Sequence, residues 1–388
     1  MYQVNNLFNV QFLQNPHVYW KELRQQTSIA WSSQLNAWIV ITYEAAIEAL
    51  THKNLATDIY GQYRPSPVPI PSSFELDTSQ NRQLRRIVRS RLEHRTLPMK
   101  AITESCQTIK RFLLLETPFE FVTQFAEPLA DLLVERWLGI SSKRRDNLVA
   151  LLKIAEFDSD FARKQVAGEM VIEELLAEIK QSREKAISNF LTELAIAWAE
   201  CEANDMDLIA FISPLLFSLV QKIGTRLVTH AVLALVQWSN LQEEIHRGGY
   251  EVAFKVANEA ARWEPITQVI PRIAKHKVSI NGQSINQGDK VLIILTSVCR
   301  DSKFYFQPDC FNINRQEQSL AFGYGLHSCL GRELALTVAA TAICQLLNSE
   351  SNYFYLNLLS EPKYNVELGR ACTSLNLSYT GLTQRHYI

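Results

Sequence analysis

The segment from Leu215 to Trp238 is apolar on almost every face of the helix that its residues would form. A helix at the surface carries one apolar stripe, whereas a helix that is apolar all round must be enclosed by the rest of the protein. We therefore expect this helix to cross the middle of the molecule. The chain has 388 residues, which is enough to bury such a helix in a large core.

Most of the remaining chain also has helical periodicity. Amphipathic helices follow one another from Glu104 to about Gly248. Short strands are predicted at 30–43, where apolar runs flank a polar turn, and at 276–295, where a glycine turn joins two strands. There is no linker, internal repeat or low-complexity segment. The sequence thus predicts one mainly α domain with small β-sheets over residues 1–388.

The charge balance and the cysteines exclude several classes of protein. The 39 basic and 40 acidic side chains leave a net charge of -1, which provides no basic surface for nucleic acid. The first 26 residues do not resemble a signal peptide, and no uncharged apolar stretch has the length of a membrane anchor. Seven scattered cysteines without a CxxC pair argue against disulfides and zinc. We expect a cytoplasmic protein.

The stretch AFGYGLHSCLGRELA places three glycines, a histidine and a cysteine directly before a helical pattern. The N-terminus of a helix offers unpaired N–H groups and a positive dipole end, which stabilise a thiolate at Cys329. Gly323 and Gly325 permit a tight turn, Gly331 leaves room for a flat group, and His327 adds a hydrogen-bonding or cationic group. These features suit a thiolate ligand to a haem iron. The alternative is a glycine turn around a structural cysteine.

This stretch resembles the haem-binding loop of the cytochrome P-450 family, whose pattern is Phe-Gly-x-Gly-x-His-x-Cys-x-Gly. The matching residues are Phe322, Gly323, Gly325, His327, Cys329 and Gly331, followed by Leu334 and Ala335 in the next helix. The resemblance covers nearly the whole chain. It implies a cytochrome P-450 fold with one haem b between the central helix and the cysteine-loop helix. It also implies that Cys329 ligates the iron, which pushes electron density toward oxygen bound on the opposite side.

The family's Glu-x-x-Arg pair is also matched, by Glu259 and Arg262. The resemblance makes this a buried structural ion pair, in which loss of one member leaves an uncompensated charge. Cys310 stands where many members have an arginine or histidine that joins the pair.

Two arginines match positions that contact the haem propionates in the family. Arg272 in PRIA stands where soluble members place such an arginine, and Arg85 in NRQLRR matches the arginine of a His-x-x-x-Arg helix. Asn81 occupies the position of that histidine, so an amide weakens or replaces one propionate contact.

The central helix departs most from the family, which has Ala/Gly-Gly-x-Asp/Glu-Thr above the iron. An alignment anchored on VLALVQW places Lys222 at the acid and Ile223 at the threonine. Leu219 and Val220 replace the small residues that open a notch for oxygen. Thr225 comes two positions late, which turns it by about 200° on an α-helix, so it could replace the alcohol only if the helix bulged. Lys222 either faces the substrate or extends its head to water.

A filled notch affects proton delivery, because a positioned acid–base relay contributes about 10²–10⁴-fold to a rate. Family members that couple phenols or indoles often lack the alcohol. We therefore expect radical biaryl coupling of a small aromatic natural-product intermediate rather than hydroxylation. The alternatives are a conventional monooxygenase with substrate-assisted proton delivery, a peroxide-driven or isomerising haem enzyme, and a haem protein that binds a ligand without turnover.

The predicted substrate pocket combines the central helix with the segment after the Glu-x-x-Arg helix. Its residues are Leu219, Lys222, Ile223, Thr267, Gln268, Val269 and Ile270. Such a mainly apolar lining suits a flat apolar ligand. Electrons would come from an external donor, a ferredoxin or flavodoxin with its reductase, or from peroxide.

Overall fold

The fold is given by a computed structural model of the chain. It describes residues 12, 15–57, 79–92, 96–114, 118–158, 160–184, 189–200, 205–348, 352–365 and 371–383. Unit 1 comprises Met1–Ile59, Lys255–Cys329 and Pro362–Thr373, and unit 2 comprises Tyr60–Phe254, Leu330–Glu361 and Ser374–Ile388. The single domain expected over residues 1–388 stays a prediction.

The described elements are mostly helices. The helices are α1 (Pro16–Gln26), α2 (Tyr43–Thr51), α3 (Ser79–Leu92), α4 (Thr96–Leu113), α5 (Glu127–Leu133), α6 (Ser142–Phe157), α7 (Phe161–Glu184), α8 (Phe190–Ala199), α9 (Asp205–Phe217), α10 (Val228–Gln237), α11 (Asn240–Trp263), α12 (Leu295–Val298) and α13 (Arg332–Leu347). Val122–Ala126, Val134–Leu138 and Ser218–Leu227 wind as π-helices, and Gly325–His327 forms a 3₁₀ turn. The strands are β1 (Ile29–Ser32), β2 (Ala37–Val40), β3 (Leu55–Ala56), β4 (Phe119–Glu120), β5 (Val269–Ala274), β6 (Val278–Ile280), β7 (Gln283–Ile285), β8 (Lys290–Ile294), β9 (Asn352–Leu358), β10 (Lys363–Asn365), β11 (Ala371–Ser374) and β12 (Asn376–Thr383).

Unit 1 is organised around a five-stranded sheet of order β1-β2-β8-β5-β3. β2 and β8 pair in parallel and the other neighbours are antiparallel. Trp20 of α1 packs into a core cluster with Ile39, Ile41 and Ile294. The segment 276–295 holds three strands rather than the two expected, because Asn281-Gly282, both at positive φ, closes the short β6–β7 hairpin before β8 begins.

Unit 2 contains most of the helices and the antiparallel sheet β4-β12-β9. The central helix expected from the sequence lies here, and its run extends over Asp205–Gln237. This run is long and apolar enough to cross a membrane, but 69% of its most apolar window is buried inside the protein, as in a core helix. Its middle differs from an ordinary α-helix, because Ser218–Leu227 winds as a π-helix.

One glycine sets the approach of this π segment to α5. A Cβ atom added at Gly224 would lie 2.5 Å from the Cβ of Ala130, which is closer than non-bonded carbon atoms come. The two backbones therefore approach this closely only because residue 224 has no side chain and residue 130 has a small one. The contact fixes the face of the π segment that turns toward α5.

A buried lysine holds the C-terminal end of α13. The Nζ atom of Lys110 donates hydrogen bonds to the carbonyl oxygens of Gln345, at 2.8 Å, and Asn348, at 3.1 Å. It also lies 4.2 Å from the ring centroid of Phe354. A cation is favourable at this end of a helix, where the last carbonyl groups lack partners. Burial nevertheless lowers the pKa of Lys110 from its ordinary 10.5 to about 8.

We predict that this lysine makes stability depend on pH. Between pH 8 and 10.5 the unfolded chain binds more protons at Lys110 than the folded protein does, so the free energy of unfolding gains a contribution that rises with pH. The contribution reaches up to about 3 kcal/mol at 1.36 kcal/mol per pKa unit. Urea unfolding should show that the free energy of unfolding increases more from pH 7.5 to pH 10 in the parent than in Lys110→Met. Equal trends in the two proteins would contradict the prediction.

Candidate active site

The cysteine loop of unit 1 is closed by its own backbone. The N–H of Cys329 donates to the carbonyl oxygen of Phe322 at 2.8 Å, and the N–H of Gly323 donates to that of Leu320 at 2.8 Å. Gly323 and Gly325 adopt φ angles of 73° and 72°, which favour glycine, so the expected tight turn is present. The side chain of Cys329 is exposed. It therefore offers its sulfur outside the loop.

The surroundings of the loop fit a flat prosthetic group. α13 begins at Arg332, three residues after Cys329 in the chain, so the cysteine precedes a helix N-terminus as expected. A Cβ atom added at Gly331 would meet nothing within 4 Å, which leaves open space beside the start of this helix. At Gly323 an added Cβ would lie 3.8 Å from the Cδ1 atom of Ile270, so β5 passes next to the loop.

Arg272 fits a propionate contact on the same strand. Side chains alternate along a strand, so Arg272 shares a face of β5 with Ile270, which lies next to the cysteine loop. Its side chain is buried, and its Nη1 atom donates to the carbonyl oxygen of Pro271 at 2.9 Å. Among the residues that the structure describes, no carboxylate pairs with this guanidinium, and burial lowers its pKa to about 10. A buried cation of this kind requires an anion, which a haem propionate would supply.

For most of the other predicted haem and pocket residues, the described part of the structure gives burial or backbone position but no contact with a haem site. Arg85 is buried on α3, and the side chains of Asn81 and Lys222 lie outside the described part of the chain. The propionate contacts of Arg85 and Asn81 stay predictions. Val269 packs against the unit 1 core cluster, whereas its neighbour Ile270 lies beside Gly323.

Thr267 and Gln268 are partly buried in the turn between α11 and β5. The carbonyl oxygen of Gln268 accepts from the N–H of Leu295 at 2.8 Å. Leu219 and Ile223 are buried in unit 2. The two groups of predicted pocket residues therefore belong to different units, and the pocket itself stays a prediction.

The predicted ion pair of Glu259 and Arg262 is part of a network that also includes Arg315. Arg262 donates two hydrogen bonds to the Glu259 carboxylate, from Nε at 2.8 Å and from Nη2 at 2.7 Å. Arg315 adds a third, from its Nε to Glu259 Oε1 at 3.3 Å. The carbonyl oxygen of Cys310 accepts from both arginines. Arg315 thus supplies the cation that many family members have at the position of Cys310. The sequence signal for Arg315 is the pattern FNINR, which ends in this charged residue.

Known proteins share both this fold and the sequence pattern. The family model described as Cytochrome P-450 matches residues 251–349. The chain is 26% identical to the Putative cytochrome P-450 YjiB of Bacillus subtilis over 88% of this chain and 89% of that protein. The solved structure of the Bacillus subtilis 168 Bacillaene Polyketide Synthase Cytochrome P-450 PksS is similar with a TM-score of 0.83 and 20% identity, over 95% of this chain and 98% of that one. The chain belongs to the cytochrome P-450 family.

A further cytochrome P-450 relative, Pulcherriminic acid synthase of Bacillus subtilis, is 23% identical over 86% of this chain and 89% of that protein. The expected cytochrome P-450 fold, mainly helical with small β-sheets, is confirmed. Members of this family bind haem iron through a cysteine thiolate, so the cofactor of this protein is haem. Cys329 is the ligand that the loop geometry favours, and this assignment stays a prediction.

We expect Cys329→Ser to remove the thiolate spectrum of this cytochrome P-450. Serine keeps the size of the side chain but lacks the soft, anionic sulfur that ligates the iron. The reduced carbon-monoxide complex should lose the Soret band typical of thiolate ligation. Cys344→Ser, at a partly buried cysteine of α13, is the matched control and should keep it. A thiolate band in Cys329→Ser would move the ligand to another cysteine.

We expect Arg272→Gln to have opposite effects on the apoprotein and the haem complex. Without haem, removal of a buried cation that has no carboxylate partner should leave stability unchanged or raise it. Haem retention should weaken by about 1.5–3 kcal/mol, the usual contribution of a hydrogen bond to a charged group. Haem transfer to apomyoglobin measures the retention, and urea unfolding measures the stability. Parallel losses in both measurements would contradict the propionate role.

Proposed function

We propose that this protein is a haem-thiolate oxidase that joins small aromatic molecules by radical coupling and inserts no oxygen. The observation that carries the proposal is the side chain at position 223. Ile223 stands at the family's alcohol position and is only 5% exposed. Leu219 and Val220, at the positions of the family's small residues, are buried as well. An aliphatic residue cannot relay a proton.

The described residues suit a reaction that needs little proton delivery. Bound haem supplies one-electron oxidation. The buried aliphatic side chains of Leu219, Val220 and Ile223 exclude water from this part of the helix. In each coupling, one hydrogen atom leaves each of the two joined positions, and a C–C or C–N bond forms. The two hydrogen atoms reduce one peroxide molecule to two water molecules, which balances the step.

The names of two relatives support a biosynthetic role. Pulcherriminic acid synthase is named for the formation of a specific product, and PksS for the bacillaene polyketide synthase. We accordingly propose a natural-product intermediate as the substrate. An external electron donor, either ferredoxin or flavodoxin with a reductase, is the alternative to peroxide, and we place the protein in the cytoplasm.

A second candidate, a monooxygenase, is favoured by the π-helical winding of Ser218–Leu227. Thr225 replaces the alcohol only on a helix that bulges, and this segment does so. A π-helix turns less per residue than an α-helix, so the residues that follow Ser218 point in other directions than they would on an α-helix. Thr225 is partly buried, and its carbonyl oxygen accepts from the hydroxyl of Thr229 at 2.5 Å.

Product analysis with isotopically labelled dioxygen and phenol or indole substrates separates the two candidates. Radical coupling predicts dimeric or cross-coupled products without the label. Restoring the alcohol by Ile223→Thr should then leave coupling unchanged or lower it, and should raise uncoupled oxygen consumption or hydroxylated by-products. If Thr225 relays protons in a monooxygenase, Thr225→Val should lower labelled product by about 10²–10⁴-fold.

Thr229→Val serves as the control for threonine loss outside the proposed relay. Haem content and folding are measured first, because a hydroxyl without a partner at position 223 costs about 1–3 kcal/mol. Label in the main product of the parent enzyme would exclude coupling. So would a large gain of that product in Ile223→Thr.

A further inference from the structure

Two tyrosines of unit 1 share one hydrogen-bond acceptor next to the cysteine loop. The hydroxyl of Tyr43, at the start of α2, donates to the carbonyl oxygen of Gln318 at 3.2 Å, and the hydroxyl of Tyr305 donates to the same oxygen at 3.0 Å. The two ring centroids are 5.7 Å apart at an interplanar angle of 87°. Two phenol groups therefore meet at one carbonyl oxygen, two residues before Leu320, whose own carbonyl oxygen accepts a bond that closes the cysteine loop.

The helix that carries Tyr43 lies against the cysteine loop. A Cβ atom added at Gly325 would lie 3.5 Å from the Cγ2 atom of Thr51, so the last turn of α2 packs against the loop. In the first turn, burial raises the pKa of Tyr43 from its ordinary 10.0, and the phenol of Tyr324 raises it further because that group is close. Tyr324 belongs to the loop itself, five positions before Cys329. Oxidisable phenol groups therefore extend from the loop to Tyr43.

The two tyrosines that share the carbonyl oxygen differ in their access to water. Tyr305 is only 1% exposed, and the guanidinium carbon atoms of Arg262 and Arg315 lie 5.5 and 5.8 Å from its ring centroid. Tyr43 is half-buried, and its hydrogen bond to Gln318 lies at the surface. A phenol that loses an electron must also release its proton. Water accepts this proton at Tyr43, whereas the Tyr305 hydroxyl faces a carbonyl oxygen, which is a poor base, and positive charge on its ring is unfavourable beside the guanidinium groups.

We propose that Tyr43 is a surface site at which hydrogen peroxide oxidises a small one-electron reductant, such as ascorbate. Bound haem supplies the one-electron chemistry. In each step the O–H group of Tyr43 loses one electron toward the cysteine loop and one proton to water, which leaves a neutral phenoxyl radical. A hydrogen atom from the reductant then restores the phenol. Two such steps supply two electrons and two protons, which convert one peroxide molecule into two water molecules. This activity goes beyond the coupling proposal, because it needs no aromatic substrate.

The first test locates the radical in the resting haem protein. Hydrogen peroxide is added together with a nitroso spin trap in place of the reductant, and mass spectrometry of the digested protein identifies the residue that carries the adduct. We expect the adduct on Tyr43, and none without peroxide. Tyr305→Phe is the matched control, because it removes the other hydroxyl that donates to the same carbonyl oxygen, and it should keep the adduct on Tyr43. Absence of the adduct from Tyr43 in the parent, or its loss in Tyr305→Phe with normal haem content, would overturn the proposal.

The second test measures the oxidation of ascorbate by peroxide in Tyr43→Phe. This variant keeps the ring that stacks on Phe304, with centroids 3.4 Å apart, and removes only the hydroxyl. Most of the ascorbate oxidation should be lost while haem content and the carbon-monoxide spectrum stay unchanged. Equal oxidation in Tyr43→Phe and the parent would contradict the role of Tyr43. Because no coupling substrate is present, these outcomes are independent of the coupling proposal, and labelled oxygen in a product would remove that proposal and leave the role of Tyr43 intact.

Discussion

The buried carboxylate of Glu259 holds together the part of unit 1 that leads to the cysteine loop. Its Oε1 atom accepts from Arg262, from Arg315 and from the N–H of Asn312. Arg262 in turn donates to the carbonyl oxygens of Cys299 and Pro308. Between α12 and the 3₁₀ turn the described chain has no helix or strand. The ion pairs of Glu259 therefore stabilise this irregular segment, as backbone hydrogen bonds stabilise helices and strands elsewhere. Loss of one partner would cost about 3–5 kcal/mol of folding free energy.

The parts of the site that lie close together in sequence could be predicted well. The cysteine loop depends on glycines within a few residues, and Glu259 and Arg262 are three positions apart on one helix. Arg315 could not be placed in the same way, because 56 positions separate it from Glu259 and the connecting chain is irregular. The comparison with the family pointed to Cys310 instead, whose backbone joins the network while its side chain does not.

The π-helical winding of the central helix could not be predicted from the sequence either. Apolar residues at nearly every position indicate burial but do not distinguish i→i+4 from i→i+5 hydrogen bonding. The π geometry depends on packing between distant segments, such as the approach of Gly224 to Ala130. Likewise, the periodicity predicted strands near residue 280, and only the positive φ angles of Asn281 and Gly282 show that a separate hairpin forms there.

The close approach of Gly224 and Ala130 links two positions that are far apart in sequence. A larger residue at position 224 requires glycine at position 130 or a separation of the helices, and a larger residue at position 130 can only separate them. Substitutions at 130 and 224 should therefore be strongly non-additive, as expected for residues in direct contact. Directed evolution of the central helix would have to vary the two positions together. Libraries that vary the helix alone would yield only variants whose residue at position 224 can pack against Ala130.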